Sequence, residues 1–191
     1  WQAAPRGRIA PGTPLGAYAL GKIGGRVAHL AKAFGMNVLA WGREATAERA
    51  RKEGFQMAAS REALFESCDI VTIHLPLNKS TRGIVTLKDL GRMKPDSLFV
   101  NTSRAGVVED GALCAALKAG RPGFAAVDVY EDEPVLGGAH PLLHMENVVC
   151  TPHLGYATYE TLKDYLSLAI GRVNAFAAGK PKDVVNPEAL A

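Results

Sequence analysis

Three polar side chains each follow a short apolar run. Arg104 closes Leu98-Phe-Val-Asn-Thr-Ser-Arg104, Glu133 trails Phe124-Ala-Ala-Val-Asp-Val129, and His153 closes Val148-Val-Cys-Thr-Pro-His153. A guanidinium, a carboxylate and an imidazole suit acid/base work on a small anion. Arginine grips a carboxylate through its planar fork, histidine moves a proton near neutral pH, and a second carboxylate orients the histidine. Each residue alone has a plainer explanation: a surface ion-pair donor for Arg104, solvated charge for Glu133 in the acidic run Glu131-Asp-Glu133. Their spacing and shared position after apolar runs favour the chemical reading.

Upstream lies Ala19-Leu-Gly21-Lys-Ile-Gly24. In the fingerprint G-x-G-x-x-G the first glycine permits a tight turn, the second lets backbone approach pyrophosphate, and the third lets helix pack on strand. Gly21 and Gly24 fill the second and third places, and Ala19 stands at the first, where a positive φ would carry a cost. Pyrophosphate would rest on the amides of Lys22 and Ile23 at a helix N-terminus. Turn and trio together point to hydride transfer with a nicotinamide cofactor. About 20 residues beyond such a turn an acidic residue normally binds the adenosine ribose, yet this chain reads Trp41-Gly42-Arg43. A 2′-phosphate is then no longer repelled, and Arg43 attracts it, with Glu44 a counterweight.

The elements that must position these residues alternate. Strands are expected at 15–20, 38–41, 55–58, 70–75, 98–100, 123–129 and 148–150. Helices are expected at 24–34, with Val27, Leu30, Ala31 and Phe34 on one face, at 45–53, at 60–65 with Ser60 as N-cap, at 87–93, and at 109–119 ending on a left-handed Gly120. A long amphipathic helix from Thr158 to about Ala178 should turn Leu162, Tyr165, Leu166, Ala169, Val173 and Phe176 inward. Alternating strands and helices call for parallel pairing with right-handed crossovers, the α/β doubly wound parallel sheet or Rossmann fold. In such a sheet the residues following each strand share the carboxyl edge, where ligands bind. The expected organisation is a lead-in at 1–14, a dinucleotide-binding domain at 15–157, the long helix within 158–180 and a tail at 181–191.

Composition narrows the class. Of 191 residues 48% are hydrophobic, enough for one packed domain, and a net charge of +3 with 21% charged residues offers no basic stripe for nucleic acid or membrane. No apolar stretch reaches the roughly 18 residues of a membrane span. Cys68, Cys114 and Cys150 are too scattered for a disulfide framework or metal site, so reduced thiols in a cytoplasmic protein and no metal are expected. His29, His140 and His144 read as structural.

At these residues the sequence resembles the D-isomer-specific 2-hydroxyacid dehydrogenases, which include phosphoglycerate, glycerate and formate dehydrogenases. The resemblance runs from about Leu15 to about Gly171. Its markers are Leu20-Gly-Lys-Ile-Gly24, His74-Leu-Pro-Leu77, Thr81-Arg82, Met93-Lys-Pro95, Asn101-Thr-Ser-Arg104, Asp128-Val129 with Glu133-Pro134, and Thr151-Pro-His-Leu-Gly155. It implies that Arg104 binds the substrate carboxylate and carbonyl, that Glu133 pairs with His153, and that His153 is the general acid/base. It further implies that Gly21, Lys22, Ile23, Gly24, Gly42, Arg43, His74, Leu75, Pro76, Thr81, Thr102, Ser103, Arg104, His153 and Gly155 line the cofactor, with Asp128 holding the nicotinamide carboxamide. Family habit sets NAD ahead of NADP, against the local lean of Gly42-Arg43. The resemblance also implies a homodimer, a small 2-hydroxy or 2-oxo acid as substrate, and a second substrate-binding domain mostly absent from this chain, on which turnover would depend. A non-catalytic dinucleotide-binding corepressor or sensor of the same fold is the alternative.

Overall fold

A computed structural model of the chain describes residues 9–190; residues 1–8, most of the expected lead-in, and Ala191 lie outside the described residues. The elements run β1 (Pro14–Tyr18), α1 (Lys22–Ala33), β2 (Asn37–Trp41), α2 (Glu44–Glu53), β3 (Gln56–Met57), α3 (Arg61–Ser67), β4 (Ile70–Ile73), α4 (Leu87–Leu90), β5 (Leu98–Asn101), α5 (Ala112–Lys118), β6 (Phe124–Val127), β7 (Val148–Cys150) and α6 (Tyr159–Ala177). The seven strands form one parallel sheet in the order β3-β2-β1-β4-β5-β6-β7. Strand order reverses between β1 and β4, and in open α/β sheets ligands bind at the carboxyl ends beside that reversal.

Two clusters of buried side chains make the core. The larger holds Leu64, Phe65, Val71, Ile73, Leu90, Met93 and Phe99; the smaller is built from Leu15, Ala17, Leu20, Ala28, Ala31, Ala40, Ala50 and Phe55. Each large side chain removed from water contributes about 1.5–3 kcal/mol. Local chemistry fixes the helix ends: Ser60 Oγ accepts from the Ala63 amide at 3.1 Å, and Thr86 with Asp89 closes a capping box on α4.

Two expectations here need correction. On α1 the buried face is Gly24, Gly25, Ala28 and Ala31, whereas Leu30 and Phe34 are exposed. Small residues win that face because the helix lies close on the sheet. The helix expected from Glu109 begins only at Ala112, since Gly111 takes a left-handed φ of +68° and the Glu109 carboxylate is turned to the Leu87 amide at 2.9 Å. Gly120 has the expected positive φ, +78°, one residue beyond the cap Ala119.

The chain divides into two compact units, the first ending at Pro152 and the second beginning at His153. The second contains α6, capped by Thr158 Oγ1 on the Thr161 amide at 3.1 Å. No residue of α6 is buried; Leu162, Tyr165, Leu166, Val173 and Phe176 are all exposed, against the expectation that they face inward. Amphipathic spacing states that a helix has a face to cover, not that this chain covers it. The segment after α6 folds back on its last turns, where Arg172 pairs with Asp183 at 3.2 Å.

Candidate active site

The exit of β1 carries the glycine turn. Ala19 takes a φ of +76°, a left-handed conformation that costs an L-residue about 1–2 kcal/mol, so the first fingerprint position does demand a positive φ here. A β-carbon on Gly24 would stand 2.1 Å from the Ala19 carbonyl oxygen, whereas one on Gly21 would meet nothing within 4 Å. The third glycine is thus required for helix-to-strand packing, and the second leaves backbone open to a ligand. Gly21 is the N-cap of α1, no side chain caps the helix, and its first turn holds no acidic residue. The leading amides of Lys22 and Ile23 therefore offer donors and positive potential to a phosphate.

Arg49 on α2 braces this turn, a role with no local signal in sequence. Its Nη1 donates to the carbonyls of Leu20 at 3.1 Å and Gly21 at 2.7 Å, while its Nε donates to Glu53 at 2.7 Å. Gly25 admits the guanidinium, since a β-carbon there would lie 2.4 Å from Arg49 Cζ.

At the exit of β2, Arg43 Nη2 donates to Ser80 Oγ at 2.6 Å. At the exit of β4, the His74 amide donates to the Tyr18 carbonyl at 3.0 Å, and its Nε2 lies 3.1 Å from Thr72 Oγ1. Burial pushes the His74 imidazole below its ordinary range, leaving a neutral ring beside the turn. Leu75 is half-buried and Pro76 exposed. Thr81 is only 3% exposed, and its hydroxyl is engaged inside the loop, donating to the Pro76 carbonyl at 2.6 Å and accepting from the Asn78 amide at 2.9 Å.

Further along the same edge, buried Asn101 shapes the turn that presents Arg104. Its Oδ1 accepts from the Ser103 amide and hydroxyl at 3.0 and 2.9 Å, and its Nδ2 donates to the Arg104 carbonyl at 3.0 Å. Thr102 and Arg104 are exposed. At the exit of β6, buried Asp128 accepts from Thr151 Oγ1 at 2.5 Å, and the Tyr130 hydroxyl donates to the Thr151 carbonyl at 3.0 Å. Burial, then the Cys150 thiol, pushes the Tyr130 phenol well above its ordinary value. Glu133 Oε1 accepts from the Tyr130 amide at 2.8 Å, which fixes one carboxylate oxygen against the turn.

His153 opens the second unit with a φ of +54°, and its ring meets Tyr156 edge-on at 5.8 Å. A left-handed non-glycine residue is uncommon and clusters at functional positions. Gly155 follows in the same exposed turn.

The first unit therefore gathers the glycine turn, Arg43, His74, Arg104, Asp128 and Glu133 on one sheet edge. A pocket of about 400 Å³ between α5 and residues 131–142 is lined by Cys114, Leu136 and His140 and also by Asn101, Val127, Val129 and Pro134, so it borders the turns that carry Arg104, Asp128 and Glu133 without including those side chains. Among the described residues no group of three or more His, Cys, Asp or Glu is arranged to hold a metal ion, and no helix is long and apolar enough to cross a membrane.

Comparison with known proteins gives a consistent answer. The family described as D-isomer specific 2-hydroxyacid dehydrogenase, NAD binding domain, matches residues 1–155. A glyoxylate reductase of Aeropyrum pernix is 41% identical over 180 residues, covering 94% of this chain and 53% of that protein. A D-3-phosphoglycerate dehydrogenase of Methanocaldococcus jannaschii is 35% identical over 92% of this chain and 33% of its own length. The crystal structure of an oxidoreductase from Ralstonia solanacearum superposes with a TM-score of 0.93 at 51% identity, covering 97% of this chain and 54% of that one. The chain thus spans about half the length of relatives such as the Aeropyrum enzyme.

Proposed function

The chain belongs to the D-isomer specific 2-hydroxyacid dehydrogenases, and on that premise we propose that it forms the cofactor-binding part of an oxidoreductase that interconverts a small D-2-hydroxy acid and its 2-oxo acid. The observation that carries the reading is the paired geometry of Gly21 and Gly24: open backbone at one, contact with the Ala19 carbonyl at the other. That cradle fits a dinucleotide pyrophosphate. When bound, the nicotinamide ring supplies or accepts the hydride.

The chain's own residues do the rest. Amides of Lys22 and Ile23 hold phosphate, and Asp128, set at the end of β6 by Thr151, holds the carboxamide. Arg104 clamps the substrate carboxylate, an orienting and electrostatic contribution. His153 takes the proton of the substrate hydroxyl in oxidation and returns it to the 2-oxo oxygen in reduction; Glu133 orients the ring. We place the substrate among small 2-hydroxy and 2-oxo acids, and the protein in the cytoplasm.

We further place the protein as a homodimer. Exposed Ile23, Leu30 and Phe34 recur along α1 at helical spacing, an apolar stripe suited to a second copy.

The test is fluorescence titration with NADH and NADPH, followed by cofactor oxidation over a panel of 2-oxo acids. Saturable binding with turnover of a 2-oxo acid supports the reading, and His153→Ala should then cost about 10²–10⁴ in turnover with cofactor affinity kept. Absence of binding to either nucleotide overturns it. Binding without turnover when the substrate-binding domain is also present favours the non-catalytic alternative.

A further inference from the structure

We propose that Ser80, with Asn78 behind it, is a specificity-determining residue that holds the Arg43 guanidinium ready for the 2′-phosphate of NADP(H), so that this chain takes the phosphorylated dinucleotide in preference to NAD(H). The inference deepens the dinucleotide reading above and rests on it.

The relay is short and directional. Ser80 Oγ accepts from Arg43 Nη2 at 2.6 Å and donates to Asn78 Oδ1 at 2.8 Å, and the same Asn78 oxygen accepts from the Ser80 amide at 2.9 Å. A hydroxyl has a single hydrogen, so the bond to Asn78 turns the oxygen's lone pairs to the arginine. Asn78 is in turn fixed through its amide, which donates to buried Thr81 Oγ1 at 2.9 Å. The loop after β4 thereby positions a side chain that begins 37 residues earlier. Arg43 spends one of its donors on this bond, and among the described residues no carboxylate pairs with it. The rest of its planar fork is free for a phosphate, the geometry guanidinium matches best. Ordering a long flexible side chain is among the costs of binding, and here it is met before ligand arrives.

The same corner works against the unphosphorylated ribose. Glu44, the only acidic residue beside Arg43 in sequence, gives its carboxylate to Arg51 Nη2 at 2.7 Å. Nor can an acid simply replace Gly42, because a β-carbon there would lie 2.5 Å from Thr46 Oγ1, and Thr46 is buried. Thr46 Oγ1 is itself within 3.5 Å of the Leu20 amide, so the residue that blocks position 42 also touches the glycine turn. For the ribose diol of NAD, the carboxylate nearest in sequence, Glu44, is drawn to Arg51; a 2′-phosphate finds a charge partner held in place.

Titration of the chain with NADPH and with NADH tests this directly by nicotinamide fluorescence, without turnover. NADPH should bind roughly tenfold or more tightly, the range of one charge-assisted contact. Ser80→Ala should weaken NADPH by about three- to tenfold and leave NADH within about twofold, Ser80→Thr should restore the preference, and Arg43→Ala should abolish it. Equal affinities, or tighter NADH, overturn the inference. So does an equal loss of both nucleotides in Ser80→Ala, which would make Ser80 a loop brace only. Failure of both nucleotides to bind the unaltered chain is a different result, since it removes the dinucleotide reading as well.

Discussion

The carbonyl oxygen of Ala19 occupies the space into which a β-carbon of Gly24 would project, at a separation of 2.1 Å. The obstructing atom is backbone, so a larger residue cannot be admitted by turning a side chain aside. Gly24→Ala should cost about 1–3 kcal/mol or more by overpacking and abolish nucleotide binding, read as a lower urea midpoint together with a flat fluorescence titration.

Ala19→Gly runs the opposite way. Relief of the left-handed conformation returns about 1–2 kcal/mol, offset by about 0.5–1 kcal/mol of extra chain entropy. A net gain of about 0.5–1 kcal/mol is expected in urea unfolding, with nucleotide affinity unchanged; a loss would show that the methyl contributes packing that outweighs the strain.

Removal of Arg49 tests whether the brace on the Leu20 and Gly21 carbonyls matters for binding. The group is partly exposed, so the contribution is discounted to about 1 kcal/mol. Arg49→Met should weaken NADH and NADPH equally, about fivefold, in contrast to the selective effect of Ser80→Ala. Parallel titrations of the two variants separate turn support from cofactor choice.

His74 gives a pH signature. Its folded value lies below its unfolded one because burial disfavours the charged ring. Between the two values the unfolded chain binds the proton and the folded chain does not, so stability rises with pH there. The stabilisation is complete above the ordinary histidine value of about 6.5 and is lost as pH falls below it towards the folded value. His74→Gln should flatten that dependence in urea unfolding measured between pH 7.5 and pH 5; an unchanged slope would assign the loss to other groups.

Much of the fold was legible because period and punctuation are local. Apolar runs separated by helical spacing yield a parallel sheet, and Ser60 as a cap or Gly120 as a left-handed stop is read from a few neighbours. Arg49 was not legible, since it meets Gly21 across 28 residues and resembles any other charge on a polar helix. Asn101 stood inside a recognised motif without a role, and only coordinates show one amide side chain setting the turn on both sides. The faces of α1 and α6 misled for a shared reason: hydrophobic spacing marks the side that seeks cover, while small residues such as Gly24 and Ala28 mark where cover is closest.

The placement of β1 at the middle of the sheet has a consequence for assembly during synthesis. It precedes the other six strands of the sheet in the chain, yet Leu15 pairs with Val38 on one side and with Ile70 on the other. A nascent chain therefore carries a strand open on both flanks, completes one flank early, and waits about thirty further residues for the second. At ribosomal speeds of about 5–20 residues per second the interval is a few seconds. Until it ends, the glycine turn at the exit of β1 stands without the β4 neighbour, Ile70 to Ile73, that completes its edge of the sheet.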